Sequence, residues 1–297
     1  MVFSIPFLPT KSTLLHMRFA FAFFLLPVYV FALSQVQYPN WKNAVLVFVV
    51  WHLCVYPASN GYNSYFDKDE GSIALLEKPP RVDKSLYYFS LLLEALGIGL
   101  SFWVSIEFAF SAMLYGLLSK SYSHPSIRLK KFPMWSFLIV FVFQGAFVYW
   151  TSYAAIARQS VFENWTESFF LAGLICSCLI GASYPLTQVY QHEEDSKRGD
   201  TTLSLLLGVR GSFFFSAILF LAATLLMLRF WMIQGKPGNF WLFLAFILPA
   251  MFVFLRWFVL VWKDERKADF KNMSLMTKVS GSTMFVYFLL IWIVDFL

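Results

Sequence analysis

The chain has 297 residues, of which 59% are apolar, 21% aromatic and 13% charged, and its formal net charge is +6. Its mean hydropathy is +0.64, and this composition leaves too little polar surface to cover a water-soluble globule of that size. The sequence therefore predicts an integral membrane protein. Membrane topology explains the positive charge, so no nucleic-acid partner is expected.

Apolar windows of about 20 residues, the length that spans a bilayer as a helix, recur along the whole chain. They are unbroken apolar runs and lack the alternation of an outer-membrane barrel. The sequence predicts an all-α integral membrane protein, a bundle of about nine transmembrane helices that forms a single polytopic domain over residues 1–297. The windows are 17–35, 41–58, 86–105, 107–120, 133–156, 166–187, 210–233, 238–262 and 279–297.

Lys and Arg residues are distributed unevenly between alternate loops. If the N-terminus is inside, most of the 23 Lys and Arg residues fall on the inner side. The positive-inside rule then predicts a cytoplasmic N-terminus and cytoplasmic loops at 60–85, 119–132 and 188–209. In a bacterium this membrane would be the inner membrane.

Two acidic segments occupy equivalent positions in the predicted bundle. Residues 60–72 follow the second span and include Asp67, whereas residues 188–200 follow the sixth span and include Asp195. Each segment follows the second helix of a four-helix block, which predicts two pseudo-repeated blocks. Internal repeats of this kind can place two acidic helix ends at one shared cavity.

The spacing within these segments predicts a metal site. If the helices continue, Asn63 and Asp67 share a face at i, i+4, as do Gln191 and Asp195. Clustered carboxylates repel one another unless a cation lies among them, and Mg²⁺ prefers oxygen ligands and completes its shell with water and phosphate. The predicted ligands are Asp67, Asp195, Asn63, Glu70 and Glu194.

Basic residues on the same predicted side favour a phosphate-bearing ligand. A lone acidic loop would be interpreted as a solvated, mixed-charge connection, which any polytopic protein needs. Two matched segments favour a site instead. The basic residues are Lys68, Lys120, Arg128, Lys130, Lys197 and Arg198.

Three polar blocks occur in order along the chain. They are Asn63–Asp67 with the following Gly71, Tyr122–Lys130, and Gln191–Gly199 with the later Leu207-Gly208. In this order they resemble the motifs of the UbiA superfamily of intramembrane prenyltransferases. Gly71 resembles the glycine that often follows the first motif in the menaquinone-pathway branch of that superfamily. The resemblance covers at least residues 60 to 208, and the nine-helix count extends it loosely over the whole chain.

Two positions depart from the pattern of that family. Gln191 stands where the second motif usually has Asp, and Gly71 stands at the third acidic position of the first motif. A glutamine oxygen can ligate Mg²⁺ but brings no negative charge to offset the ion. Either Glu70, Glu193 or Glu194 substitutes, or the metal site is weaker than in typical members.

The resemblance implies a Mg²⁺-dependent transfer of an isoprenyl group from an isoprenyl diphosphate to a lipophilic acceptor, an aromatic ring or a lipid, as in quinone biosynthesis. The partners would be these two substrates and the surrounding membrane lipids. The implied catalytic residues are Asp67, Asp195, Lys130 and Tyr122. The implied diphosphate-binding residues are Asn63, Lys68, Arg128, Ser123, Lys197 and Gln191.

Other functions remain open at the level of sequence. Acidic pairs in internal repeats also describe small-solute or cation transporters, and Gln191 is compatible with an impaired member that binds isoprenoid lipids. A terpene-cyclising enzyme is a further alternative. Glu94, within the third predicted span, either lines an internal cavity or snorkels to the interface. His52 is interpreted as a hydrogen-bonded packing residue, and His192 ranks below its acidic neighbours as a candidate site residue.

Overall fold

The structure is a computed structural model that describes residues 8–296. These residues form helices joined by turns and by one longer loop between Asp67 and Lys84, and no β-strand occurs among them. The helices are α1 (Lys11–His16), α2 (Phe19–Ala22), α3 (Leu26–Gln35), α4 (Trp41–Phe48), α5 (Tyr56–Asp67), α6 (Lys84–Ser101), α7 (Ile106–Ser123), α8 (Pro133–Ile139), α9 (Phe147–Ala157), α10 (Glu167–Leu186), α11 (His192–Arg198), α12 (Leu203–Ile233), α13 (Pro237–Lys263) and α14 (Phe270–Phe296).

Two of the long helical runs contain a π-helical segment. Val49–Val55 joins α4 to α5, and Val140–Ala146 joins α8 to α9. Such i→i+5 segments are rare and locally widen the helix. A third interruption lies in α12, where Gly208 has φ 70° and ψ 171°. Its missing Cβ permits this left-handed φ value within a long helix.

Seven helical runs of the described residues are long and apolar enough to cross a membrane. The predicted all-helical membrane protein is thereby confirmed, whereas the count of nine is not. The third and fourth predicted windows are occupied by α6 and α7, which have 18 residues each. The seven runs are Lys11–Gln35, Trp41–Asp67, Pro133–Ala157, Glu167–Leu186, Leu203–Ile233, Pro237–Lys263 and Phe270–Asp295.

Several helices extend beyond their apolar windows. The helix predicted from residue 210 begins at Leu203, after Thr202 has accepted a hydrogen bond from the Leu205 N–H. Polar caps of this kind satisfy the first N–H groups of a helix outside any apolar run. Hydropathy windows therefore located these seven helical runs, but several of the predicted helix ends lie inside the observed ones.

The described chain divides into two compact units. Unit 1 comprises Met1–Phe23 and Asn40–Lys130, and unit 2 comprises Phe24–Pro39 and Lys131–Leu297, each over its described residues. The predicted single domain stays a prediction.

Aromatic side chains form the interior of each unit. In unit 1 the ring of Trp51 lies 5.6 Å from Phe108 and 5.3 Å from Tyr115. In unit 2 Phe31 stacks on Phe288 with a centroid distance of 4.3 Å. Such contacts combine a large buried apolar area with a preferred ring geometry, so they contribute to helix packing in both units.

Candidate functional site

The first acidic segment begins inside a helix and ends with it. Asp67 is the last residue of α5, and Lys68, with φ 51°, is its left-handed cap. One turn earlier, the Asn63 Nδ2 group donates a hydrogen bond of 2.8 Å to the Asp67 carboxylate. The predicted continuation of this helix through Asn63 and Asp67 is therefore confirmed.

Lys130 forms an ion pair with Asp67. Its Nζ lies 2.6 Å from Oδ1 of Asp67, and the two side chains are only 9% and 6% exposed. Lys130 lies in the short 3₁₀ turn Leu129–Lys131, just after Arg128, whose φ is 48°. A charge-assisted hydrogen bond at this depth balances the carboxylate within unit 1.

Hydroxyl groups of α7 continue this contact along α5. Ser123, at the end of α7, accepts a hydrogen bond of 3.0 Å from the same Asn63 nitrogen. One turn before it, Ser119 hydrogen-bonds Ser59, which is one turn before Asn63. Residues at i, i+4 lie on one helix face, so α5 and α7 meet through successive polar rungs. These rungs fix the amide of Asn63 beside Asp67.

A second ion pair lies among α5, α6 and α7. Lys120 bonds Glu94, and its Nζ lies 5.8 Å from the ring centroid of Tyr62. A Cβ atom at Gly116 would overlap the Glu94 carboxylate, so the glycine leaves room for it. The sequence had left open whether Glu94 lines a cavity. The structure pairs it instead with one of the six basic residues chosen as phosphate-binding candidates.

The remaining candidates of unit 1 differ in how far they are exposed. The side chains of Lys68 and Glu70 are exposed in the loop after α5, and Tyr122 and Arg128 are half-buried. Hydrogen bonds at the ends of α5 and α7 bring together four of the predicted site residues, Asn63, Asp67, Ser123 and Lys130.

The loop that follows Asp67 is fastened to the N-terminal helix. Asp83 caps α6 and accepts a hydrogen bond of 2.7 Å from Thr10, while Ser12 donates to the Arg81 carbonyl at 2.8 Å. Partial burial raises the pKa of Asp83, but hydrogen bonds from Ser85, Thr10 and the Leu86 N–H outweigh it and lower that pKa below its usual value. The charged form of Asp83 therefore stabilises this end of the loop.

The second acidic segment is built differently. Helix α10 ends at Leu186, directly after Pro185, and Gln191 precedes the separate helix α11. The expectation that the preceding helix continues is therefore wrong here, because the backbone passes into turns in which the Gln188 N–H donates to the Pro185 carbonyl and the Gln191 N–H to the Gln188 carbonyl, three residues earlier in each case. Gln191 and Asp195 still meet through the backbone, since the Asp195 N–H donates to the Gln191 carbonyl at 2.9 Å.

Most acidic groups of α11 have a local basic partner. Lys197 lies 2.6 Å from Glu193 in an exposed pair, and Arg198 bonds Glu194 in a less exposed one. Both pairs are spaced i, i+4 on the same short helix. Asp195 is buried, with 8% of its surface exposed.

His192 connects α11 to the start of α12. Its Nε2 lies 2.7 Å from the Ser204 hydroxyl, which lies 2.9 Å from that of Ser212, beyond the break at Gly208. Burial lowers the pKa of His192, and the charge of Glu265 partly opposes this. Sequence reasoning had ranked His192 low. The serines that follow it, Ser204 and Ser212, eight residues apart, are the signal that could have drawn attention to it.

The family model described as "UbiA prenyltransferase family" matches residues 21–289 of the chain. The chain belongs to this family. The resemblance inferred from the three polar blocks is confirmed, and so is the predicted class of enzyme, a prenyltransferase. No curated protein sequence matches the chain.

Solved structures of this family share the fold. A UbiA homologue from Aeropyrum pernix K1 without ligand has a TM-score of 0.70 at 16% identity, covering 94% of this chain and 98% of that chain. One from Archaeoglobus fulgidus bound to DMAPP and Mg²⁺ has a TM-score of 0.68 at 15% identity, covering 96% and 100%. A structure of digeranylgeranylglyceryl phosphate synthase has a TM-score of 0.61 at 19% identity, covering 96% and 97%.

Both acidic segments contain oxygen atoms that could ligate a metal ion, but few of their acidic side chains lie close to one another. Among residues 8–296, no group of three or more His, Cys, Asp or Glu side chains is arranged to hold a metal. Each segment instead offers a buried aspartate next to an amide residue, Asp67 with Asn63 and Asp195 with Gln191. The metal ligands therefore stay a prediction.

Proposed function

We propose that this UbiA-family chain transfers an isoprenyl group from an isoprenyl diphosphate to a lipophilic acceptor, an aromatic ring or a lipid, in a Mg²⁺-dependent reaction. The observation that carries the proposal is the buried cluster of Asp67, Lys130, Asn63 and Ser123 at the ends of α5 and α7. It combines an oxygen ligand for a cation with a positive group for a phosphate, within one compact unit.

The donor set fits Mg²⁺ in kind. Each acidic segment offers oxygen ligands, Asp67 and Asn63 in unit 1 and Asp195, Gln191 and Glu194 in unit 2, and Mg²⁺ needs only one or two carboxylates when phosphates and waters complete its shell. When bound, the ion would draw negative charge from the diphosphate leaving group. Binding of the ion would depend on the local charge, because Lys130 already pairs with Asp67 and Arg198 with Glu194.

The chain's own residues would bind and orient the diphosphate. Breaking the bond between the isoprenyl carbon and the diphosphate oxygen leaves negative charge on the diphosphate, which the positive charges of Lys130 and Arg128 would stabilise. Tyr122 is proposed as a hydrogen-bond donor to the same group. Asn63, held by Ser123, would keep the Asp67 carboxylate in place.

Aromatic residues of unit 1 suit an allylic carbocation. Tyr62, Tyr65, Phe66 and Tyr87 form a cluster around the last turns of α5, with Tyr65 and Tyr87 5.2 Å apart between ring centroids. Ring faces attract positive charge, and apolar walls exclude the water that would quench a cation. This cluster supports a reaction that passes through positive charge on the isoprenyl group.

The relatives support the donor class. One Archaeoglobus fulgidus homologue was solved with DMAPP and Mg²⁺, and another structure with GPP and Mg²⁺. By extension, we propose an isoprenyl diphosphate as donor for this chain, and quinone or membrane-lipid biosynthesis as its setting. The cytoplasmic placement of the N-terminus and of the three motif loops, with an inner-membrane location in a bacterium, belongs to the same proposal.

The test is binding followed by turnover. Detergent-purified protein is incubated with radiolabelled geranyl diphosphate, with Mg²⁺ or with chelator, and is then offered a panel of aromatic and lipid acceptors whose products are identified by mass spectrometry. We expect Mg²⁺-dependent retention of the donor and a prenylated product. Binding that ignores the chelator would refute the metal site. Donor binding without product from any acceptor would favour the isoprenoid-binding alternative, and cation flux in liposomes without donor binding would favour a transporter.

A further inference from the structure

Asp67 already has a buried cation as its partner. Lys130 Nζ lies 2.6 Å from Oδ1, and Asn63 Nδ2 lies 2.8 Å from Oδ2, so both carboxylate oxygens accept a hydrogen bond. The Lys130 and Asp67 side chains are 9% and 6% exposed. Any metal ion that ligates Asp67 must therefore share this carboxylate with an ammonium group at close range.

Sharing is unfavourable unless an anion is present. Two positive charges beside one carboxylate repel each other, and the repulsion is stronger at a buried site than in water. Moving the Lys130 ammonium away from Asp67 with no anion to receive it would also be costly, because a buried ion pair would be broken. A phosphate oxygen is a partner that removes both penalties, because it accepts the ammonium while the carboxylate becomes available to the metal.

We infer that Lys130 is a tethered counter-ion that makes metal binding at Asp67 conditional on a diphosphate. Without ligand, Lys130 neutralises Asp67. When a diphosphate binds, the Lys130 ammonium moves from the carboxylate to a phosphate oxygen, and Asp67 becomes a metal ligand. The inference deepens the proposed function and rests on it, since it assigns an order to the binding of the same two ligands.

The neighbouring contacts allow this exchange without rearranging α5. Asn63 is held from its other side by Ser123, at 3.0 Å, through a bond in which Lys130 takes no part. Asp67 therefore keeps its position when the ammonium leaves. Lys130 itself belongs to the short turn Leu129–Lys131, outside the long helices, where a small change of backbone or side chain moves its amino group.

Thermodynamic linkage makes the inference quantitative. If the metal and the diphosphate each bind better in the presence of the other, the two enhancements must be equal, and coupling between sites is typically about 5- to 150-fold. Removing Lys130 should abolish the penalty on metal alone. Removing the charge of Asp67 should abolish the corresponding penalty on diphosphate alone, because Lys130 would then lack its carboxylate partner.

The experiment measures each ligand separately on the full-length protein in detergent. Mn²⁺ alone is titrated and its free fraction is followed by electron paramagnetic resonance. Radiolabelled inorganic diphosphate is measured by equilibrium dialysis, once in chelator and once with saturating Mg²⁺. The variants are Lys130→Met and Asp67→Asn, and Lys131→Met is the matched control, since Lys131 is the adjacent, exposed lysine.

We expect wild type and Lys131→Met to bind Mn²⁺ alone weakly and diphosphate well only with Mg²⁺. Lys130→Met should bind Mn²⁺ alone at least about tenfold more tightly, and Asp67→Asn should bind diphosphate in chelator more tightly by a similar factor, both within the usual range of coupling. If Lys130→Met does not fold, the diphosphate measurement on Asp67→Asn decides alone.

Two failures are distinguishable. If wild type retains diphosphate with Mg²⁺ but neither variant gains affinity for its single ligand, the counter-ion role is wrong and the proposed function stands. If wild type does not retain diphosphate under any condition, the proposed function itself fails. Equal gains in Lys130→Met and Lys131→Met would also overturn the inference, because they would reflect net charge alone.

Discussion

The two acidic segments balance their charges in different ways. In unit 1, Asp67 ends a long helix and pairs with Lys130, which lies 63 residues further along the chain in a buried contact. In unit 2, Glu193 and Glu194 pair with Lys197 and Arg198 on the same seven-residue helix. The first arrangement depends on tertiary folding, whereas the second is available to the isolated segment. Charge that is balanced at long range and away from water is the feature expected to matter most for function.

The largest effect is expected at Asp67. Asp67→Asn removes the carboxylate that Lys130 and Asn63 hold, and prenyl transfer should fall by a factor of at least about a hundred, as for loss of a principal electrostatic contact. Transfer is measured with geranyl diphosphate and the best acceptor. The control is Asp69→Asn, which makes the same change of charge in the loop two residues later. Equal losses in both variants would mean that the buried pair has no special role.

Glu94 tests whether a charge balanced among three helices also contributes to stability. Glu94→Gln leaves Lys120 without its carboxylate partner. Because the Lys120 side chain is 28% exposed, the loss of unfolding free energy should be about 1–3 kcal/mol, below the ~3–5 kcal/mol of a fully buried pair. Thermal unfolding in detergent measures it.

The companion variants separate charge from packing. Glu94→Gln combined with Lys120→Met should recover most of the lost stability, since neither charge is then left alone. Glu193→Gln, in the exposed pair of α11, should leave the unfolding temperature unchanged. A double variant that is no more stable than Glu94→Gln would show that the ion pair is not the cause.

Asp83 offers a smaller effect with a defined pH dependence. Asp83→Ala removes the N-cap of α6 and should cost about 1 kcal/mol near neutral pH. The folded-state pKa of Asp83 lies below its usual value, so its stabilisation is present above the usual carboxyl pKa of about 3.9 and is lost as the pH falls through the lowered value. Unfolding measured from pH 7 to pH 3.5 should show the two proteins converging only below about pH 4. Asp83→Asn should keep much of the cap without that dependence, and convergence above pH 5 would contradict the assignment.

The smallest expected effect is at Gln191. Its position before α11 is one where an aspartate is favoured as a cap, and Glu194 is already paired with Arg198. Gln191→Asp should therefore fold and lower the half-saturating Mg²⁺ concentration for transfer by a factor of about three to ten, since added ligand charge tightens metal binding. Gln159→Asp, distant in sequence, is the control. A raised Mg²⁺ requirement would instead show that repulsion with Glu194 and Asp195 dominates.

The sequence predicted local relations better than distant ones. The i, i+4 relation of Asn63 and Asp67 was predictable because it depends only on helix period, and hydropathy located the spans for the same reason. The partner of Asp67 was not, since six basic residues were candidates and only packing decides which one reaches it. The pairing of Glu94 with Lys120 was missed on the same ground, because it requires knowing which faces of α6 and α7 meet.

The break before α11 was missed for a different reason. Pro185 was read as part of an apolar window, and the following residues Thr187–Tyr190 contain no glycine or proline to mark a turn. Hydropathy cannot register the change from helical bonding to the turn in which the Gln188 N–H donates to the Pro185 carbonyl, which is how α10 ends. The roles of Tyr122, Arg128 and the unit 2 residues remain predictions for another reason, because each role depends on a bound ligand.

The π-helical segment Val49–Val55 has a consequence for the evolution of this chain. It holds extra residues within the run that ends at Asp67, and successive residues of a helix differ by about 100° around its axis. A π turn holds more residues than an α turn, so deleting one residue there would convert the segment to regular α-helix and leave the rotation of α5 nearly unchanged. Deleting a residue within α5 before Asn63 would instead turn Asn63 and Asp67 by about 100°, away from Ser123 and Lys130. The chain can therefore change length at the π-helical segment and keep the cluster, whereas the same change a few residues later would destroy it.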